Sequence, residues 1–594
     1  MSSIADLMHP LLRESAPGGV EAKACGIRLD ISRQRMTLDD FRRLVDFAQK
    51  RGLLDAHRRM TAGEHVNVSE DRAALHTALR NFSPEGVMYD VVHRERARMK
   101  AFAEQIRDGR RCGCRGERIT DVINVGIGGS EKGPHAVWHA LRAANPEIRL
   151  HFLSSVDGVL LERTLASCRP HSTLIVVSSK SFTTRETQVN AAAADQWLLD
   201  HGIVGNDRAR HMVVVSANPQ AAEMMCLPEE NLFHLWDWVG GRFSVWGAVG
   251  LPIMIALGSD AFMEFLKGAN EMDLHSLTAP LAQNLPAMLA LTAYWNATRL
   301  EIASHCLMPY DERLRELVPW LQQLEMESLG KNVSVAGERI PGCTGQGVWG
   351  ANGNEAQHSF CQWLREGTAR TAIDLVWSEM PGHGYAEHYR VLLANARAQA
   401  EALVTRDPRS PYYNVVNTIV MEAVTPRRLG ALMAMYEHKT TMLGTLFGVN
   451  PFDQPGVELG KRLSRRAESG RDHGALDLRG DPPHALLFDG APPVEDGGEP
   501  ARQKFAAERH PVRFGPKLLV AARVDGHRGV RGRHCRHGFR LGVEPEDGVA
   551  PAEGVAQSFG RSSSVAEHRP HLFGKVEVAR IEKRCDGSRT VRRV

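Results

Sequence analysis

A chain of 594 residues is too long for a single hydrophobic core, so two or more domains are expected. With 73 Lys and Arg against 70 Asp and Glu, the net charge is only +3, which gives no electrostatic footprint for nucleic acid and leaves any anion to be caught locally. The ten cysteines have no paired spacing, which suits a reducing compartment and not a disulfide framework.

The opening stretch, MSSIADLMHPLLRESAPGG, has no basic segment followed by an apolar run and a small-residue cleavage site, so the expectation is a cytoplasmic protein. Up to residue 105 apolar and charged positions alternate at helical spacing, as from Phe41 to Arg51 and from Ala73 to Asn81, and predict a helical lead-in without strands. Cys112 and Cys114 lack further ligands at zinc-like spacing and read as two free thiols in a loop. From Ile119 the pattern changes to short β-branched runs at Ile119–Val125, Leu150–Ser154, Leu174–Ser178 and Met212–Ser216, separated by helix-compatible stretches such as Thr187 to His201. The alternation predicts a doubly wound parallel sheet in a first α/β domain, residues 106–275.

The longest apolar stretch, Val245 to Leu257, is interrupted by Gly247, Gly250 and Pro252 and is shorter than the roughly 18 residues of a membrane span, so it reads as core. A second α/β domain is expected over residues 276–463, with strands around Val348, Ile373–Val376 and Thr418–Met421. Thr425-Pro426 is a helix entry, a capping hydroxyl followed by proline in the first turn, leading to Glu437-His438-Lys439. Residues 464–594 turn to Arg, Gly, His and Pro with few periodic apolar runs, the composition of a disordered tail or of an out-of-frame translation. Acidic clusters such as Glu544-Pro545-Glu546-Asp547 argue against nucleic-acid binding there.

Two segments carry chemistry. Asn124 to Pro134 follows a strand and opens a helix, and its glycines let backbone N–H groups approach an oxyanion. A plain strand-to-helix turn reads equally well, and a nucleotide site is a further alternative, although the segment lacks the Gly-Lys-Ser/Thr ending of a P-loop. Ser178 to Thr187 offers six hydroxyls and Lys180 at a helix start, more than an N-cap uses, and fits a phosphate monoester.

Five segments together resemble the glucose-6-phosphate isomerase family, which is built from two sugar-isomerase (SIS-type) domains. They are Asn124 to Pro134, Ser179 to Thr187, Trp236 to Ser244, Met326 to Lys331 and Phe452 to Lys461, and they stand in the family's order. The resemblance implies interconversion of glucose 6-phosphate and fructose 6-phosphate through a cis-enediolate, in glycolysis and gluconeogenesis, by a cytosolic homodimer that uses no metal and no redox or nucleotide cofactor. It implies that Ser179, Lys180, Ser181 and Thr184 hold the phosphate, with Ser181 where the family usually has threonine, and that Gly129 and Ser130 stand close to the sugar. Arg242 would stabilise the enediolate charge, Gln454 would line the pocket and Lys461 would help to open the sugar ring. Pro455 replaces the usual tryptophan.

The general base departs from the family. Its position, the glutamate of a Trp-Gly-Glu-Pro-Gly loop, is Ala351 here, within Trp349 to Phe360, and alanine cannot take a proton. Glu355, four residues on, is the candidate within that loop for the missing group. A histidine contributed across a dimer interface also assists ring opening in the family, and His383 is the nearest match, with His388 a better fit to a structural histidine on the following helix. The alternative to an active enzyme is a sugar-phosphate-binding protein with the same fold and a lost catalytic glutamate.

Overall fold

The computed structural model of the chain describes residues 20–405 and 413–468. These belong to one unit, Met1–Asp481, and the tail expected from residue 464 lies outside the described residues apart from its first five, which continue a helix, Glu458–Glu468.

Eleven strands form two sheets among the described residues. In chain order they are β1 (Glu21–Ala24), β2 (Ile27–Arg33), β3 (Asp121–Val125), β4 (Arg149–Leu153), β5 (Thr173–Ser178), β6 (Met212–Ser216), β7 (Leu232–His234), β8 (Ser304–Pro309), β9 (Gly347–Gly350), β10 (Ala372–Ser378) and β11 (Val415–Met421). The first sheet has the order β4-β3-β5-β6-β7 with every pair parallel. Its inner strands read as continuous apolar runs, Thr173–Ser178 being buried throughout, because helices cover both faces of a parallel sheet. Since β3 pairs with β4 on one side and β5 on the other, the chain reverses direction of travel across the sheet between them. That switch point opens a crevice at the carboxyl ends of β3 and β5, where ligands bind in open α/β sheets.

The second sheet has the order β1-β2-β11-β10-β8-β9. Its four strands β8 to β11 are parallel, as expected for a second wound sheet, but the edge is antiparallel and comes from the N-terminus. This corrects the expectation of a strandless helical lead-in. Cys25 and Gly26, both at positive φ, make a two-residue hairpin turn between β1 and β2. Ile27, Leu29 and Ile31 are fully buried on one face of β2 while Arg28 and Asp30 alternate with them, a period of two inside a segment dominated by helical spacing.

Thr425 caps the helix Pro426–Phe447 as the sequence predicts, its Oγ1 accepting from the Arg428 N–H at 3.3 Å. This helix is nearly all buried, charged residues included. Buried charges require partners. Arg80 makes a two-pronged contact with Asp273 and reaches Glu437 at 2.5 Å, while His438 meets Asp273 at 2.6 Å. Lys439 donates to Glu325 of the helix Leu317–Leu329, whose next turn faces the crevice.

Candidate active site

The crevice is a cleft of about 650 Å³. One lip follows β3, where the chain turns through Gly126 to Ser130 into the helix Gly129–Leu141. Asn124 holds the turn by donating from Nδ2 to the Ser130 carbonyl at 3.0 Å. A Cβ on Gly129 would stand 2.1 Å from the carbonyl of Gly241, so only glycine lets the turn pack against the Gly240-Gly241-Arg242 segment.

The other lip follows β5. Ser179 Oγ and Thr187 Oγ1 are buried and make no hydrogen bond, although both residues line the cleft. Thr184 is the N-cap of the helix Arg185–Asp200, yet its side chain caps no amide. Unpaired hydroxyls and open amides at a helix N-terminus are an arrangement that an oxyanion satisfies. Lys180 donates from Nζ to the carbonyls of Asp237 at 2.7 Å and Val239 at 2.8 Å, which fixes the ammonium at the rim with a third N–H left for a ligand. Burial, with the Arg72 charge nearby, lowers its pKa from the usual lysine value. Ser181 Oγ lies 2.6 Å from Thr183 Oγ1.

Across the cleft, Arg242 is 4% exposed and every arm of its guanidinium is engaged. Nε donates to Ser328 Oγ at 2.7 Å, Nη1 to Gln454 Oε1 at 2.8 Å and Glu327 Oε2 at 3.3 Å, and Nη2 to the carbonyls of Pro451 and Asp453. Burial lowers its pKa from arginine's ordinary value, against the pull of Glu327 and Asp453. Lys331 closes the bracket from below, donating to the carbonyls of Ser328 and Asn450 and pairing with Asp453 Oδ1 at 3.0 Å. The segments Met326 to Lys331 and Phe452 to Lys461, distant in sequence, thus hold one arginine together.

Gly129, Ser130, Ser179, Lys180, Ser181, Thr184, Arg242, Gln454 and Lys461 all line this cleft. Glu355 and His383 do not. The Glu355 carboxylate is exposed and accepts from Arg315 Nη2 at 2.6 Å, a bond that holds it below the usual carboxylate range. His383 lies in an exposed turn, its Nδ1 accepting from the Tyr385 N–H at 3.1 Å. His388 stands on the helix Ala386–Ala402.

Sequence reading missed the wall formed by Asn67, Glu70, Arg72 and His76, and the two cleft-lining residues Gln323 and Glu327 of the helix Leu317–Leu329. His76 stacks on Phe243 at 4.6 Å between centroids with a buried, unpartnered Nε2, and burial holds it well below histidine's ordinary pKa. No local motif marks the first group. Glu327 did stand in a motif, Met326 to Lys331, but without an assigned role. Among the described residues Asp121, His151 and Cys168 gather at the other end of β3, where Arg149 already supplies Asp121 with a cation at 2.8 Å.

A family model described as phosphoglucose isomerase matches residues 30–411 and 413–477. A glucose-6-phosphate isomerase 1 of Chromohalobacter salexigens is 40% identical over 454 residues, 74% of this chain and 83% of that relative. A glucose-6-phosphate isomerase of Burkholderia lata is 42% identical over 485 residues, 78% and 89% of the two chains. The crystal structure of a glucose-6-phosphate isomerase from Chlamydia trachomatis superposes with a TM-score of 0.69 at 28% identity, covering 80% of this chain and 96% of that one. A cleft built from the same five segments that carried the resemblance, matched by a family model over most of the length, places the chain in the phosphoglucose isomerase family.

Proposed function

We propose that the chain interconverts glucose 6-phosphate and fructose 6-phosphate. The observation that carries this reading is the pair of unpartnered hydroxyls, Ser179 and Thr187, beside Lys180 and facing Arg242 across one cleft. The first group suits a phosphate dianion, and the second suits charge developing on the reacting carbons of the same molecule. Ser179, Lys180, Ser181 and Thr184 hold the phosphate, Gly129 and Ser130 lie along the sugar, and Gln454 keeps Arg242 in register. Lys461 and His383 open the ring, the latter from the second subunit of a homodimer, which accounts for its exposed position outside its own cleft. Aldose and ketose are at the same oxidation level, so the reaction requires no redox cofactor. No described helix is long and apolar enough to cross a membrane, and a cytoplasmic location is part of the proposal.

A binding protein without turnover is the alternative that Ala351 raises, and the isomerase names of the relatives weigh against it. A coupled assay of fructose 6-phosphate conversion on the full chain, with calorimetry of hexose 6-phosphates, tests the reading. Turnover with binding that is lost in Lys180→Ala supports it. Absence of any binding heat overturns it, and binding without turnover selects the alternative.

A further inference from the structure

The proposed reaction needs a group that moves one proton between C1 and C2, and the loop position that should supply it holds the methyl group of Ala351. Glu355 in the same loop is tied elsewhere. Asn352 donates to Glu312 Oε2 at 3.1 Å, Gly353 lies against the Tyr310 ring so closely that a Cβ would stand 2.1 Å from it, and Arg315 holds the Glu355 carboxylate.

Three carboxylate residues line the cleft, Glu70, Asp237 and Glu327. Glu70 accepts from Asn67 Nδ2 at 2.8 Å. Asp237 stands at the phosphate end, where its own carbonyl holds Lys180. Glu327 alone stands beside the arginine that faces the reacting carbons, with Oε2 at 3.3 Å from Arg242 Nη1 and from Gln323 Nε2. Its side chain is 32% exposed, toward the cleft it lines. Gln323, one helical turn earlier, reaches to 3.0 Å from where a Cβ of Gly128 would stand. The carboxylate therefore lies between Arg242 and the Gly128–Ser130 turn, the span assigned above to the sugar.

We propose that Glu327 is the catalytic base of this chain, taking over the task of the missing carboxylate at position 351. This rests on the isomerase reading above. In the open-chain aldose the carboxylate takes the proton from C2. The C2–H electron pair forms the C1=C2 bond, and the carbonyl pair moves onto O1 beside Arg242. A proton passes from O2 to O1. The Glu327 carboxylic acid then returns its proton to C1 as the O2 pair re-forms a carbonyl at C2, which gives the ketose and restores the carboxylate. No electron is gained or lost by the enzyme.

Because Glu327 also braces Arg242, loss of activity on substitution is not enough, and the base must be movable. The full chain, Glu327→Gln, and Glu327→Gln combined with Ala351→Glu are compared by coupled assay, with fructose 6-phosphate binding measured by calorimetry. The expected result is a kcat lowered about 100-fold or more in Glu327→Gln at little-changed affinity, with a large part of the loss regained when Ala351→Glu is added. The assignment is overturned if Glu327→Gln keeps kcat within about threefold of the parent, if Ala351→Glu regains nothing, or if the parent binds without turnover. Failure of the parent to bind any hexose 6-phosphate is a different outcome, and removes the functional reading together with the base.

Discussion

Lys439 donates from Nζ to Glu325 Oε1 at 2.7 Å with both side chains 3% exposed, and this pair joins the central helix Pro426–Phe447 to the helix that carries Gln323, Glu327 and Ser328. Burial works to raise the Glu325 carboxyl, and the charges of Lys439 and His305 overcome it and hold it below the usual range. Lys439→Met removes the closer of the two cations and leaves that carboxylate only His305, at 3.4 Å, which costs about 3 kcal/mol. Urea unfolding reads the loss directly. An unfolding midpoint equal to that of the parent contradicts the structural importance given to this pair.

His151 and Asp121 give a pH dependence of the opposite kind to acid unfolding. Burial pulls the imidazole down, but hydrogen bonds to Asp121, at 2.9 Å, and to Cys168 outweigh it and push the pKa up to about 9. A raised folded-state pKa means that the protonated form is the one folding favours. The stabilisation, on the order of 3 kcal/mol, is complete below the ordinary histidine value and is lost as pH rises through about 9. Melting temperatures from pH 6 to pH 10 should fall across that window in the parent and stay flatter in His151→Gln. Parallel curves reject the linkage.

What was legible in the sequence was local. Met212–Ser216, with three valines at its centre, appears as a β-branched segment and is a strand over those residues, because a central parallel strand is apolar on both faces. Ser304–Pro309 carries no local strand signal, because it begins with a serine and a histidine and ends on proline. His305 is buried there by a 3.0 Å contact with Asp374, a partner 69 residues later. The hairpin β1–β2 was hidden by helical spacing on either side, although Ile27, Leu29 and Ile31 mark its buried face. In the same way the phosphate lip is contiguous and could be read directly, whereas Arg72, His76 and Glu327 reach the cleft only through packing of distant segments.

Ser179 and Thr187 separate binding from stability. Their hydroxyls are buried without partners, a state that costs each about 1–3 kcal/mol until a ligand supplies an acceptor. Ser179→Ala and Thr187→Val should therefore leave the unliganded protein as stable as the parent or more so, while weakening hexose 6-phosphate binding. Thermal unfolding with and without fructose 6-phosphate measures both effects on one sample. Loss of stability without ligand rules out the claim that these groups await one.

Arg242→Lys keeps a positive charge and removes the fork that positions it. The guanidinium is held from four directions, by Ser328, Gln454, Glu327 and the carbonyls of Pro451 and Asp453, and only a planar group with five donors meets them all. A lysine ammonium has three donors on a flexible stem, so it settles on some of these partners and is no longer fixed over the developing enediolate. Preorganised charge of this kind contributes about 100- to 1000-fold to turnover, and kcat should fall by that order while KM changes far less, since Lys180 and its hydroxyls still hold the phosphate. Steady-state kinetics on Arg242→Lys decides the matter. An unchanged kcat means that net charge alone suffices, and a loss confined to KM means that Arg242 binds ground-state substrate and does not act on the transition state.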